Sequence, residues 1–244
     1  MEITSYEIFT SFFIFLLGTS LASFFGLLSY RVNRDYNLKG ILMGRSQCDN
    51  CHQELRWFEL IPVLGWMITK GNCMRCGQKI TMLYPIYELV LGVIFVLFFL
   101  TNQPVYFYPV LCFLYLFSLS DMEFMAIPQT FVHTGLIYAF ALLVYMFVTK
   151  GDTNSIVLGI IVSATITLVN YFKKSFGVGD LLIILMISFV LPIESFIIFL
   201  FASIVLGGVI SAMLVAFDKK WLKQYLPFVP FLLLGFIFTV IVNL

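Results

Sequence analysis

Charge is scarce in this sequence: only 11% of its 244 residues are Asp, Glu, Lys or Arg, where a soluble domain carries about 25%. So few charges cannot coat a water-facing surface, which excludes an ordinary soluble domain. The net charge of +1 lacks the basic excess of a nucleic-acid binder. Histidine is nearly absent, with only His52 and His133. No HExxH pair is present and neither histidine stands in a serine-protease motif, so those two hydrolytic schemes have no support. The N-terminus lacks a basic region, opening instead with Glu2 and Glu7, and its apolar run is too long for a cleavable signal; an inserted first helix is expected. Of five cysteines, Cys112 stands alone in an apolar run and reads as a packing residue.

What remains is apolar. Hydrophobic residues make up 61% of the chain, 28 of them Phe, and the mean hydropathy is +1.02. Runs of about 20 apolar residues are the length of a membrane span. They fall at 9–30, 82–100, 105–119, 131–148 and 155–172. The stretch 181–217, too long for one helix, is broken near 191–195 by Pro192 and Glu194, and a last run starts at Phe228. The expected fold is an all-α polytopic membrane protein of about eight transmembrane helices. Its expected parts are a first helix (1–30), a cytosolic loop domain (31–80) and a seven-helix membrane bundle (81–244). Loops rich in Lys and Arg stay in the cytosol. With the N-terminus outside, every Lys and Arg except Lys150 lies inside, including Lys173, Lys174 and Lys223.

The 31–80 loop holds Cys48-Asp-Asn-Cys51 and, after 21 residues, Cys73-Met-Arg-Cys76. Two such knuckles suit a tetrahedral four-thiolate zinc site. In a reducing compartment disulfides are disfavoured; reduced metal-free thiols and a redox use of one pair stay open. A closed four-thiolate site has no position for a substrate, so this zinc would staple a small domain. His52 beside Cys51 is a rival ligand or a solvated loop residue. The apolar Ile61-Pro-Val-Leu-Gly-Trp66 is too short to span and packs on the knuckles or rests at the membrane interface.

Acidic residues near or within a membrane are costly to place there and usually functional. Asp121 ends the third run and Asp180, in Gly177-Val-Gly-Asp180, opens the sixth. Both fall at the cytosolic side in the orientation above. Two carboxylates in close contact cannot both ionise cheaply, so one keeps a proton at neutral pH. The charged one can take a proton from water while the neutral one donates to the carbonyl under attack. Gly177 and Gly179 would admit a substrate strand close to the backbone. The plainer reading of either Asp is a helix cap or interface marker. Glu123 is the local competitor, and Glu88, inside the second run, reads as a polar contact between helices.

Taken in order, these segments resemble the type IV prepilin peptidase family of membrane aspartyl proteases. The resemblance is carried by Gly18-Thr-Ser-Leu-Ala-Ser-Phe-Phe25, Ser46-Gln-Cys-Asp-Asn-Cys51, Leu55-Arg-Trp57, Glu59-Leu-Ile-Pro-Val-Leu-Gly-Trp66 and Gly71-Asn-Cys73. Tyr84-Pro85, Glu88, Asp121 through Pro128, Gly177-Val-Gly-Asp180 and Leu226-Pro-Phe-Val-Pro-Phe231 complete it. It implies cleavage of the leader from prepilins or pseudopilins at the cytosolic face of the bacterial plasma membrane, with Asp121 and Asp180 as the catalytic pair. It also implies N-methylation of the new N-terminus with S-adenosylmethionine, for which Gly71 and the cysteine loop are the places to look. No glycine-rich fingerprint independently marks a methyl-donor site. The chain departs from the family at Glu123 and Gln129, where many members have acids, one of them Asp, and at Leu182, where Lys is common. The alternatives are a non-catalytic assembly protein with a zinc loop, and a small transporter. The transporter is disfavoured because both acids lie at one face, not across the midplane. Expected partners are prepilins or pseudopilins and the lipid bilayer, with no nucleic acid.

Overall fold

Lipid offers no hydrogen-bond partner to the backbone, so an apolar chain satisfies its N–H and C=O groups as helix. A computed structural model describes residues 5–243 apart from 35, 37, 49, 151–153, 173–176 and 221–223. Its helices are α1 (Ser5–Asn33), α2 (Leu38–Met43), α3 (Leu64–Ile68), α4 (Leu83–Leu100), α5 (Phe107–Phe124), α6 (Gln129–Lys150), α7 (Asn154–Phe172), α8 (Val178–Ser188), α9 (Ile193–Phe217) and α10 (Val229–Asn243). A 3-10 turn covers Trp57–Leu60. No strand occurs among the described residues, only two isolated antiparallel bridges, Gln47 to Glu54 and Asn72 to Lys79. Glu2, Lys173, Lys174 and Lys223, on which the signal and charge arguments draw, lie outside the described residues.

Each of the eight apolar runs is a helix. Among the described residues, five helices are long and apolar enough to cross a membrane, namely α1, α4, α5, α6 and α9, while α8 and α10 are shorter. Large apolar side chains stand on their outer faces: Phe9, Ile137 and Phe201 are 64%, 68% and 69% exposed. Apolar surface on that scale is stable against lipid and not against water. The protein is a multi-pass membrane protein.

The chain forms two compact units, Met1–Gln103 and Pro104–Leu244. In the first, α1 packs along α4 where small residues meet. A Cβ on Gly18 would stand 2.8 Å from the Gly92 Cα, and one on Gly92 would stand 2.7 Å from Thr19 Cγ2. Close backbone approach of this kind replaces the hydrophobic effect as a source of helix association in lipid. Two polar side chains then fasten the loop to these helices. Arg31, buried at the end of α1, donates to the carbonyls of Ile41 and Gly44 at 2.9 and 2.7 Å. Glu88 of α4 accepts the Val63 N–H at 2.6 Å and a bond from Ser23 of α1. Val63 has φ +63, an unfavourable conformation for a β-branched residue, held where Glu88 takes up its N–H at the start of α3. Glu88 is thus the polar helix contact expected, with the loop as its second partner.

In the second unit α5 is the enclosed span, with 61% of its residues buried against 17–28% for α6 and α9. Leu111, Leu114 and Phe117 are fully buried. It packs on α10 and α6, while α8 packs on α6 and α7. The enclosed helix is the one that carries Asp121.

Candidate functional site

The two cysteine knuckles are built alike. The Cys48 N–H reaches Gln53 C=O at 3.0 Å and the His52 N–H reaches Cys48 C=O at 2.9 Å; Cys73 to Gln78 and Gly77 to Cys73 repeat this at 2.8 and 2.9 Å. The flanking Leu55-to-Ser46 and Ile80-to-Gly71 bonds repeat as well, at 2.9 and 2.8 Å. All four sulfurs lie within 4.8 Å of one another, with Cys48 Sγ 3.9 Å from Cys76 Sγ and Cys51 Sγ 4.0 Å from Cys73 Sγ. A tetrahedron with zinc–sulfur bonds of about 2.3 Å has edges of about 3.8 Å, so the donor set fits a four-thiolate metal. The Gln78 N–H and then the Asn50 amide hold the Cys76 thiol down at about 6, while against the Gln53 N–H its burial and the three neighbouring sulfurs push Cys51 up to about 11; without a cation the cluster keeps one thiolate more readily than four. Asn50 Nδ2 stands 3.7 Å from that sulfur.

His52 occupies the position that Gly77 fills in the second knuckle, with φ +55 against +71. Its place in the loop is therefore a turn position, and the four cysteines form the cluster without it. Glycine takes up this conformation without a Cβ penalty. His52→Gly is expected to stabilise the loop by about 0.5–1 kcal/mol, and Gly77→Ala to destabilise it by a similar amount. Chelator concentrations at half-release of metal read both. Gly71 is likewise a structural glycine: φ is +69 and a Cβ would stand 2.7 Å from the Trp66 ring. The Trp66 Nε1–H donates to Ile80 C=O at 3.2 Å, so the short apolar segment packs on the second knuckle.

The carboxylates belong to the second unit. Asp121 lies in the last turn of α5 and is 8% exposed. The helix ends at Met125, which takes a left-handed conformation and returns its N–H to Asp121 C=O at 3.0 Å. Fully buried Ser120 pins the turn by donating to Ala126 C=O at 2.6 Å. Asp180 lies in the first turn of α8, where a helix N-terminus favours negative charge. Both carboxylates line a cavity of about 690 Å³, together with Met125, Tyr225, Leu226 and Phe228. They also line an adjoining cavity of about 200 Å³ that reaches Ile127, Gln129 and Gly177. Asp121 Oδ2 accepts the Val229 N–H at 3.0 Å, and the Phe228 N–H faces the same carboxylate.

The glycines of Gly177-Val-Gly-Asp180 have distinct tasks. A Cβ on Gly177 would stand 3.2 Å from Asp180 Oδ2, and one on Gly179 would stand 2.9 Å from Ile127 Cδ1. The first keeps the carboxylate clear, and the second lets α8 close on the turn after α5. Gly179→Ala is expected to cost about 1–2 kcal/mol by overpacking. Ile127→Val, which removes the clashing Cδ1, should restore most of that when combined with it, as thermal unfolding in detergent of the four chains would show. Glu123 lies two residues beyond Asp121, an offset that does not share a helix face, and it lines neither cavity. Ser120, Ile127 and the Phe228 and Val229 amides are the site groups that sequence reading missed. Ile127, Phe228 and Val229 lie in segments that carry the family resemblance, which gave them no task; the further signals are a Ser beside Asp121 and two N–H groups isolated between Pro227 and Pro230.

A multi-pass membrane protein with two acids at helix ends in one cavity, and a four-thiolate knuckle in its other unit, defines the class. Residues 16–102 match the bacterial peptidase A24 N-terminal domain and residues 108–212 match the type IV leader peptidase family. The chain belongs to that family. It is 27% identical over 236 residues to a prepilin leader peptidase/N-methyltransferase of Bacillus subtilis, covering 91% of this chain and 90% of the relative. Like-named proteins of Myxococcus xanthus and Klebsiella pneumoniae are 37% and 36% identical over 83 and 88 residues. Those stretches are 34% and 35% of this chain, and they span only 24% and 39% of the relatives. No solved structure matches the chain.

Proposed function

We propose that this protein is an aspartyl endopeptidase that removes the leader from type IV prepilins or pseudopilins. The observation that carries the reading is the meeting of Asp121 and Asp180, from two different helices, in one cavity. One carboxylate takes a proton from a water molecule while the other gives its proton to the scissile carbonyl oxygen, as the water oxygen bonds to the carbon. The tetrahedral diol then collapses: the first acid protonates the departing amide nitrogen, and a diol hydroxyl returns a proton to the second. The thiolate knuckle is a staple of the loop, with zinc as the ion its donor set suits.

The site faces the cytosol of the bacterial plasma membrane and the N-terminus lies outside, an orientation supported by the placing of Lys and Arg. The substrate's apolar helix lies in the bilayer and its leader reaches the cavity. Methylation of the new N-terminus with S-adenosylmethionine is supported by the relatives' names alone. The test mixes purified protein in detergent with a prepilin-type substrate and follows mass. A product shortened by its leader is the expected result, and intact substrate across several prepilins would refute it. One further methyl group on added donor would establish the second activity.

A further inference from the structure

The segment Leu226-Pro-Phe-Val-Pro-Phe231 leads into α10, and the chemistry above leaves it without a task. A helix N-terminus carries N–H groups with no intrahelical partner. Here Pro227 and Pro230 have none to offer, and the Phe231 and Leu232 N–H groups close on Phe228 C=O at 3.0 and 3.3 Å. The two N–H groups left between the prolines, those of Phe228 and Val229, both face Asp121. No hydrogen bond to the Asp180 carboxyl is present among the described residues.

Resting on the reading of the pair as catalytic, we propose that the Phe228 and Val229 amides divide the labour of the two acids. They hold Asp121 as the carboxylate that takes the proton from water and leave Asp180 as the acid that protonates the carbonyl. Hydrogen bonds to a charged acceptor are about twice as strong as neutral ones; each acid stands at a helix N-terminus, Asp180 at that of α8, so the amide hydrogen bonds and not the helix ends set the two apart. A pair that shares one proton places it on the member that accepts no hydrogen bond from the described residues. The protons balance over the cycle: Asp121 gains one from water and gives it to the amide nitrogen as the C–N bond breaks. Asp180 gives one to the carbonyl oxygen and regains it from the diol. Asp121 ends as carboxylate and Asp180 as acid, as they began.

Among the described residues, Tyr225 is the one other titratable side chain that lines either cavity. Tyr225 lines the cavity from ahead of α10, and α10 itself carries no titratable side chain. On α6, His133 engages Gln129 C=O at 2.7 Å and Tyr138 donates to Tyr106 C=O at 2.9 Å, with Tyr145 further along that helix. Phe228 and Val229 are positioning residues, acting through Asp121.

Val229→Pro deletes one N–H at the first position of α10, where proline is well tolerated, and Val229→Ala keeps it. The acidic limb of kcat/KM for prepilin cleavage should lie about one pH unit higher in Val229→Pro than in Val229→Ala. Coincident acidic limbs, or a shift confined to the basic limb, would overturn the assignment. A second comparison does not depend on how the proline variant folds. A carboxamide at position 180 can still donate a hydrogen bond to the carbonyl, whereas a carboxamide at position 121 cannot accept a proton. Asp180→Asn should therefore retain at least about tenfold more residual cleavage than Asp121→Asn. Equal residual rates, or the reverse order, would overturn it. If both variants cleaved at the wild-type rate, the catalytic reading of the pair would fail, a result distinct from either of these.

Discussion

Asp121→Asn is expected to leave the protein folded in detergent and to lower prepilin cleavage by about 1,000-fold, and Asp180→Asn to lower it by about 10- to 100-fold. The substitution is nearly isosteric. The side-chain oxygen of the new carboxamide can still accept the Val229 N–H that Asp121 Oδ2 accepts at 3.0 Å, so α10 keeps its anchor on α5. What is lost is the capacity to take or hold a proton. This separates catalysis from the plainer role of tying helix ends together. If Asp121 served only as a cap, the carboxamide would perform nearly as well and processing would persist. Asp121→Ala completes the comparison, because it leaves the buried Val229 N–H without a partner and costs about 1–3 kcal/mol of stability. If Asp121→Asn is inactive but stable, while Asp121→Ala is inactive and less stable, the aspartate has both roles. Thermal unfolding and product mass, measured on the same preparations, read the two separately.

The helices were legible in the sequence because lipid leaves the chain no other way to satisfy its backbone, so apolar runs and helices coincide. Their ends were less so. The run taken as 9–30 is a helix from Ser5 to Asn33, because Arg31 turns its guanidinium back onto the Ile41 and Gly44 carbonyls and so stays helical beyond the apolar stretch. The break expected at 191–195 lies at 189–192, with Pro192 capping α9, which leaves α8 only 11 residues long. Pro192 was the right signal, but the turn ahead of it uses Phe189 to Leu191, whose apolar side chains look like more helix. At the site, the two aspartates and both glycines could be read off the chain. The α10 amides could not, since a backbone N–H has no letter of its own, and Asp121 and Val229 are 108 positions apart. The glycine-like turn of His52 was hidden for a related reason: only the matching backbone hydrogen bonds of the two knuckles show that it stands where Gly77 does.

Removal of the metal from the cysteine knuckles should unfold the loop and leave the membrane helices intact. The bonds from Arg31 and to Glu88 tie the loop to α1 and α4, but the knuckles themselves have little else to hold them beyond the Trp66 bond to Ile80. Of their cysteines only Cys73 is buried, and the Arg45–Glu54 ion pair at 2.6 Å is exposed on both sides and worth little. A structural zinc contributes on the order of 10 kcal/mol of apparent folding free energy in small domains, far more than the remaining contacts of this loop supply. Cys73→Ser, which replaces the buried ligand, should therefore release zinc and open residues 45–80 to limited proteolysis. Helix content should fall only slightly, since the long helices draw their stability from lipid and from one another. Elemental analysis of the wild-type protein should find about one zinc per chain. Wild-type protein without zinc, with a loop equally resistant to protease before and after chelation, would mean that the paired knuckles hold their shape as free thiols. The arrangement argues against that outcome. Four thiol groups within 4.8 Å of one another repel as thiolates and pack poorly as thiols, and a divalent cation at their centre relieves both conditions at once.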